Sequence, residues 1–243
     1  MCDHCGCSEE HVHGLATHIH SPAKTVEINE PILAENNRFA QENRERFVTA
    51  GILAVNVLSA PGSGKTALIE RTLQDCARSI PTAVIVGDLA TENDANRIRS
   101  KGAPAVQITT GTACHLDARM VERAYSSLKP NGIRLLFIEN VGNLVCPASF
   151  DLGEQLRVVL LSVTEGEDKP LKYPPIFHGA HVVLFNKIDL AGAAGFDRNA
   201  AIENVRSVSP HSPILEVSAK TGEGMEVWYA FLRRHLDHRA VHG

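Results

Sequence analysis

SAPGSGKT, residues 59–66, closes an apolar run (ILAVNVLS, 52–59) and precedes a helical pattern over 65–79. A strand that breaks into a glycine-rich turn and then a helix is the setting of a phosphate-binding loop. Glycines let backbone N–H groups close around phosphate oxygens, and the helix adds its positive end. On this reading Gly62, Ser63, Gly64, Lys65, Thr66 and Ala67 cradle the phosphates. Lys65 reaches the β and γ phosphates and the Thr66 hydroxyl binds Mg²⁺. The strict pattern places glycine where this chain has Ser59. The alternative is a plain glycine turn, and the strand–loop–helix context argues against it.

Beyond this loop, short apolar runs alternate with helical patterns. The runs are TAVIVGD (82–88), AVQITT (105–110), IRLLFIEN (133–140), RVVLLSVT (157–164), AHVVLFNK (180–187) and PILEVSA (213–219). Successive apolar and β-branched positions predict parallel strands buried on both faces. Helices are predicted over 65–79, 93–101, 113–128, 197–207 and 223–239. Strands that alternate with helices predict an α/β P-loop NTPase with a mostly parallel central sheet flanked by helices. This domain takes residues 49–243. Residues 25–48 read as one or two amphipathic helices packed on it. Residues 1–24 read as a flexible Cys/His-rich metal-binding tail. There is no internal repeat.

Two further segments read the base. NKID (186–189) ends a strand, and Asp189 can accept two N–H bonds from the guanine N1 and 2-amino groups. Adenine presents a different pattern there, so its ring would meet the carboxylate with an acceptor. SAK (Ser218, Ala219, Lys220) follows the last strand, where GTPases contact guanine O6 through backbone. Asn186, Lys187 and Asp189 with Ser218–Lys220 therefore favour GTP and GDP over adenine nucleotides. Asp88 and Glu139 each end a strand, and Asp94 follows in the loop after Asp88. Carboxylates in these places hold Mg²⁺ or orient the attacking water. The plainer readings are ordinary polar strand ends for Asp88 and Glu139, and a helix N-cap for Asp94.

The 243 residues are 44% hydrophobic and 21% charged, with net charge −4. No basic run suits nucleic acid. No apolar stretch approaches the roughly 20 residues of a membrane helix, and the polar, Cys-rich start is not a signal peptide. A cytoplasmic setting keeps thiols reduced, so clustered cysteines point to metal or catalysis rather than disulfides. Cys2, Cys5 and Cys7 can wrap one soft or borderline ion. A free amine at Cys2 would complete a square-planar set suited to Ni²⁺; a zinc clip and an unstructured thiol tail are the alternatives. His11, His13, His18 and His20 form two H-x-H pairs, read either as weak nickel or zinc buffers or as a solvated polar tail. Cys114 and His115 open the predicted helix at 113, and Cys146 can complete three ligands. Alternatively, two subunits share one ion, or Cys114 is a small buried apolar residue. Cys76 reads as core. Lys169 and Lys172 contact nucleotide or a second subunit, or sit in a solvated loop.

ENVGNLVCP (139–147), GDLATENDANRI (87–98), TEGEDKPLKYP (164–174), NKID and the CxxCGC start together resemble the hydrogenase nickel-incorporation GTPases, the HypB family. The resemblance spans about 50–235 and the tail at 2–7. Regulatory GTPases carry Asp-x-x-Gly where this chain has Glu139-Asn140-Val141-Gly142, and no cysteine follows. The resemblance implies a SIMIBI-type, Mg²⁺-dependent GTPase that forms a homodimer on GTP binding. It implies nickel delivery to the large-subunit precursor of nickel-iron hydrogenase, together with a HypA-like metallochaperone. It places nickel at Cys2, Cys5 and Cys7, and zinc or nickel at a dimer interface through Cys114, His115 and Cys146. Mg²⁺ falls to Thr66, Asp88 and Glu139, and catalysis to Lys65, Asp88, Asp94 and Glu139. Two rivals stay open: a nickel-storing protein with a vestigial GTPase site, and a urease-type nickel GTPase.

Overall fold

The computed structural model describes residues 23–88, 93–111, 113–128 and 132–240. Cys2, Cys5, Cys7 and the tail histidines lie outside the described residues.

One seven-stranded sheet organises the chain: β1 (Leu53–Ser59), β2 (Thr82–Asp88), β3 (Ala105–Thr109), β4 (Leu135–Glu139), β5 (Leu156–Ser162), β6 (Val182–Asn186) and β7 (Ile214–Glu216). The strand order is β3-β2-β4-β1-β5-β6-β7, and every pairing is parallel. Each apolar run of the sequence becomes a strand. The inner strands β1, β4 and β6 are buried along their whole length, whereas the edge strands β3 and β7 are half-buried. An edge strand has a neighbour on one side only, so the expectation of burial on both faces holds for the centre alone.

Alternate residues feed two faces, as the period of a strand requires. Leu53, Val55 and Val57 of β1 pack with Leu68, Ile69 and Leu73 of α2 (Lys65–Cys76) and with Trp228 and Leu232 of α9 (Met225–Ala240). Cys76 is buried there, as the sequence suggested. Ala54 faces the other way, with Leu136, Ile138 and Phe47. Between these elements lie α3 (Asn93–Ser100), α4 (Ala118–Leu128), α5 (Lys169–Lys172), α6 (Pro174–His178), α7 (Ala191–Ala194) and α8 (Arg198–Val208).

The amphipathic N-terminal segment is one continuous helix, α1 (Ala23–Thr49), with Pro31 inside it. It packs on α4 and β1. Over residues 31–49 its buried positions are Asn36, Ala40, Asn43 and Phe47, spaced by four, three and four residues. The predicted helix 113–128 begins only at Ala118, because the Asp117 carboxylate accepts a hydrogen bond from the Met120 N–H (2.7 Å) and caps it. Cys114 and His115 therefore lie in the preceding loop and do not open the helix. The run 157–164 ends as a strand at Ser162, and residues 163–165 turn into a 3₁₀ helix. Among the described residues no helix is long and apolar enough to cross a membrane.

Candidate nucleotide and metal sites

Ser59, Asp88, Glu139, Ser162 and Asn186 are the last residues of five strands, so parallel pairing brings them to one edge of the sheet. Ligands of open α/β sheets bind at this carboxyl edge. The loop after β1 turns through Gly64, whose φ of 97° is left-handed and precedes α2. A Cβ on Gly64 would lie 2.6 Å from Asn186 Nδ2. Only glycine combines that dihedral with that approach.

Asn186 braces the loop. Its Nδ2 donates to the Ser63 carbonyl (2.9 Å), and its Oδ1 accepts from the Ala219 N–H (3.3 Å). Lys187 Nζ donates to the Gly62 carbonyl (2.7 Å). Ser218 Oγ donates to Asp189 Oδ1 (2.6 Å), which orients that exposed carboxylate. The NKID and SAK segments thus divide the work. Asn186 and Lys187 hold the glycine-rich loop, and Asp189 remains available to a base. Lys220 is exposed beside them.

A cavity of about 390 Å³ is lined by Gly62, Gly64, Lys65, Thr66 and Ala67 from the loop and helix, and by Asp88, Asp94 and Glu139. The sequence-predicted acids therefore meet at one place. Thr66 Oγ1 donates to Glu139 Oε1 (2.7 Å), while the buried Glu139 Oε2 has no hydrogen-bond partner. Burial pushes the Glu139 carboxyl up to about 7, against the pull of Lys65 and the Thr66 hydroxyl. Burial also lowers the Lys65 pKa, although nearby carboxylates raise it. Lys65 Nζ rests on Ser59 Oγ (3.0 Å), so the serine that departs from the strict loop pattern holds the lysine. Asp94 pairs with Arg97 (3.0 Å), which also grips Glu70 (2.6 Å). Arg97 lines the cavity too and was missed in the sequence; its signal was an acid and a base three residues apart on a predicted helix. Hard oxygen donors with one orphaned carboxylate oxygen fit a small divalent cation such as Mg²⁺.

The segment after Glu139 leads to a second cluster. Ligand atoms of Cys114, His115 and Cys146 all lie within 4.8 Å of one another. Cys114 Sγ is 2.8 Å from Cys146 Sγ and 3.9 Å from His115 Nδ1. Both thiols are free. Two thiols and an imidazole form a borderline-soft set suited to zinc or nickel. Burial lowers the His115 pKa, which favours the neutral ring a metal needs. The Cys146 thiol beside it raises the Cys114 pKa, and a bound cation reverses that balance. The His115 ring stacks on Phe150 at 3.9 Å.

The two sites are tied together. Asn140 Oδ1 accepts from the Leu116 N–H (3.3 Å), and Asn143 Nδ2 donates to the Cys114 carbonyl (3.2 Å). A Cβ on Gly142 would lie 2.9 Å from Pro61 Cα, so the segment runs directly against the phosphate-binding loop. Lys172 pairs with Asp168 (2.5 Å) and Lys169 lies over the Tyr173 ring (5.5 Å).

Residues 53–216 match the model of the CobW/HypB/UreG nucleotide-binding domain. The chain is 51% identical over 229 residues to the hydrogenase maturation factor HypB of Azotobacter chroococcum mcd 1, covering 94% of this chain and 73% of that one. It is 40% identical over 241 residues to the hydrogenase/urease maturation factor HypB of Helicobacter pylori (strain ATCC 700392 / 26695), covering 97% and 99%. The crystal structure of Helicobacter pylori HypB in complex with nickel superposes with a TM-score of 0.80 at 42% identity, covering 84% of this chain and 96% of that one.

Proposed function

The chain belongs to the HypB family of hydrogenase maturation factors, and we propose that it is a GTP-hydrolysing nickel chaperone in which nucleotide state sets metal affinity. One observation carries this reading. The residues from Glu139 to Cys146 line the phosphate cavity at one end and hold a thiol of the metal cluster at the other. A segment pinned at two sites converts a change at one into a displacement at the other.

GTP docks with its phosphates on Gly62–Ala67 and its guanine on Asp189, with Ser218–Lys220 at O6. Thr66, Asp88 and Glu139 would hold Mg²⁺, which would supply positive charge against the charge developing on the phosphates. The triphosphate favours the charged form of Lys65, which burial alone disfavours. Water attacks the γ-phosphorus, the bond to the β-phosphate oxygen breaks, and GDP and phosphate leave. Asp94, held by Arg97, faces the same cavity and contributes to orienting the water. Loss of the γ-phosphate frees the Glu139–Gly142 segment and shifts Cys146 relative to Cys114 and His115.

Cys114, His115 and Cys146 supply three ligands, so a fourth comes from a second copy, a partner or water. This supports a homodimer formed on GTP binding, with zinc or nickel at the shared site. Cys2, Cys5 and Cys7 load nickel. A HypA-like metallochaperone and the large-subunit precursor of nickel-iron hydrogenase, in the cytoplasm, are the partners we assign. The complete set Lys65, Thr66, Asp88, Glu139 and Asp189 speaks against a storage protein with a vestigial nucleotide site.

The test is nickel and zinc bound per chain, with mass in solution, for the GDP form and a non-hydrolysable GTP analogue. Dimerisation with the analogue and a changed metal load at the Cys114 cluster support the switch. Metal that stays on the tail regardless of nucleotide overturns it. Full hydrogenase maturation by a Lys65→Ala variant would favour storage.

A further inference from the structure

The metal cluster draws its ligands from two distant stretches, 114–115 and 146. His115 lies in the loop before the α4 cap and Cys146 opens a 3₁₀ helix, so no shared helix or strand fixes their separation. Thiolate and imidazole ligands need placement within about 0.5 Å to hold a particular ion.

Helix α1 bridges the two stretches from outside. Asn36 is 5% exposed and uses both ends of its amide: Oδ1 accepts from the Ala118 N–H (2.9 Å), and Nδ2 donates to the Asp151 carbonyl (2.8 Å). Asn43, two turns along the same face and 1% exposed, donates Nδ2 to the Ala118 carbonyl (2.8 Å) and to the Leu152 carbonyl (3.1 Å). Arg44 adds a bond to the Glu154 carbonyl (2.6 Å). Ala118 is three residues beyond His115, and Asp151 follows Phe150, on which His115 stacks. Each asparagine therefore grips both halves of the cluster's support. The arrangement carries a cost, because the buried Asn43 Oδ1 has no partner. A helix face that served only to bury surface would carry aliphatic residues at these two positions.

We propose that Asn36 and Asn43 are positioning residues for the Cys114–His115–Cys146 metal site, and that α1 fixes the ligand spacing by holding Ala118 against Asp151 and Leu152. The inference rests on the reading that these three residues bind a metal. It makes α1 part of the metal site rather than an accessory helix. Groups that orient ligands without touching the metal typically change affinity by 10–100-fold.

The experiment uses the full chain with Cys2, Cys5 and Cys7 changed to serine and His11, His13, His18 and His20 changed to asparagine, so that Ni²⁺ added alone reports the inner cluster. Nickel affinity is read by competition with a chelator, and ligand geometry by the thiolate-to-nickel charge-transfer band. Asn36→Leu and Asn43→Leu are expected to weaken nickel binding by about 10–100-fold and to shift the band, with GDP affinity unchanged. Asn36→Asp keeps the acceptor for the Ala118 N–H but loses the donor to the Asp151 carbonyl, so it is expected to weaken nickel binding less than Asn36→Leu does, by about three- to tenfold. It also carries the test if a leucine variant does not fold, as judged by GDP binding and melting. Unchanged affinity and an unchanged band in the folded leucine variants overturn the proposal. Failure of the underlying reading looks different: the parent takes up no nickel, or Cys114→Ser in the parent leaves uptake intact. Either result removes the site and this inference with it.

Discussion

At Glu139, burial holds the carboxyl near 7 although Lys65 and the Thr66 hydroxyl both favour its charged form. Its ordinary value is 4.5. A folded pKa above the unfolded one means that the native state binds the proton more tightly. The stability this gives is complete below pH 4.5 and is lost as pH rises through about 7. Glu139→Gln mimics the protonated form. In nucleotide-free protein with chelator, the variant is expected to match wild type near pH 4.5 and to exceed it by on the order of 2–3 kcal/mol at pH 8. Urea denaturation across that range checks it, and parallel pH profiles would remove the assignment. Gly64 is constrained differently. Its φ of 97° and the 2.6 Å approach to Asn186 Nδ2 leave no room for a Cβ. Gly64→Ala is expected to break the Asn186–Ser63 bond and lower GDP and GTP affinity at least about tenfold, with on the order of 1–3 kcal/mol lost in stability. Titration with a fluorescent nucleotide reads this directly; wild-type affinity in the variant would show that the loop tolerates the shift.

Helix α1 shows the same logic over a whole element. Gly153, at φ 86°, sits under it, and a Cβ there would meet the Ala40 carbonyl at 2.5 Å and Asn43 Cβ at 2.6 Å. Gly153→Ala must lift the helix or bend the loop, at a cost on the order of 3 kcal/mol. Gly195→Ala, at φ 63° with open space around it, isolates the dihedral strain and should cost about 1 kcal/mol. Equal denaturation midpoints for the two variants would mean that α1 does not press on Gly153. The elements also show what the sequence can reveal. The inner strands were readable because burial on both faces writes a continuous apolar run. The continuity of α1 was not, because among residues 31–49 asparagines occupy two of the four buried positions and break the apolar period. The start of α4 was misplaced by five residues. Asp117 capped the helix, yet the apolar pattern pointed further upstream. The short helices α5 and α6 contain three prolines in nine residues, which masked any period.

Across the whole molecule, the phosphate cavity and the metal cluster are two ends of one segment. Much of this was legible: Glu139 ends a strand, Cys146 follows seven residues later, and Cys114–His115 supplies the complementary ligands. What holds the ends in register was not legible. Asn140 Nδ2 reaches back to Asn56 in β1 (3.3 Å), and Asn56 Nδ2 in turn donates to Glu154 (3.2 Å). Asparagine within an otherwise apolar strand reads from sequence as an irregularity, not as a strut. Within this segment, the half-buried Asn143 makes the direct tie from the switch-like residues to the Cys114 carbonyl. It lies outside the residues that line the phosphate cavity. Asn143→Ala should therefore leave GDP and GTP-analogue affinity unchanged while loosening the link between them and the metal. In the wild-type chain, nickel affinity at the inner cluster is expected to differ between the two nucleotide forms by at least about tenfold, a coupling of about 1.4 kcal/mol. In Asn143→Ala that ratio is expected to fall to within about threefold. Chelator competition in each nucleotide form measures both ratios on one preparation. A full-sized ratio in the variant would mean that the coupling passes through Asn140 and Leu116 instead, and would redirect the mutational search to the buried face of the segment.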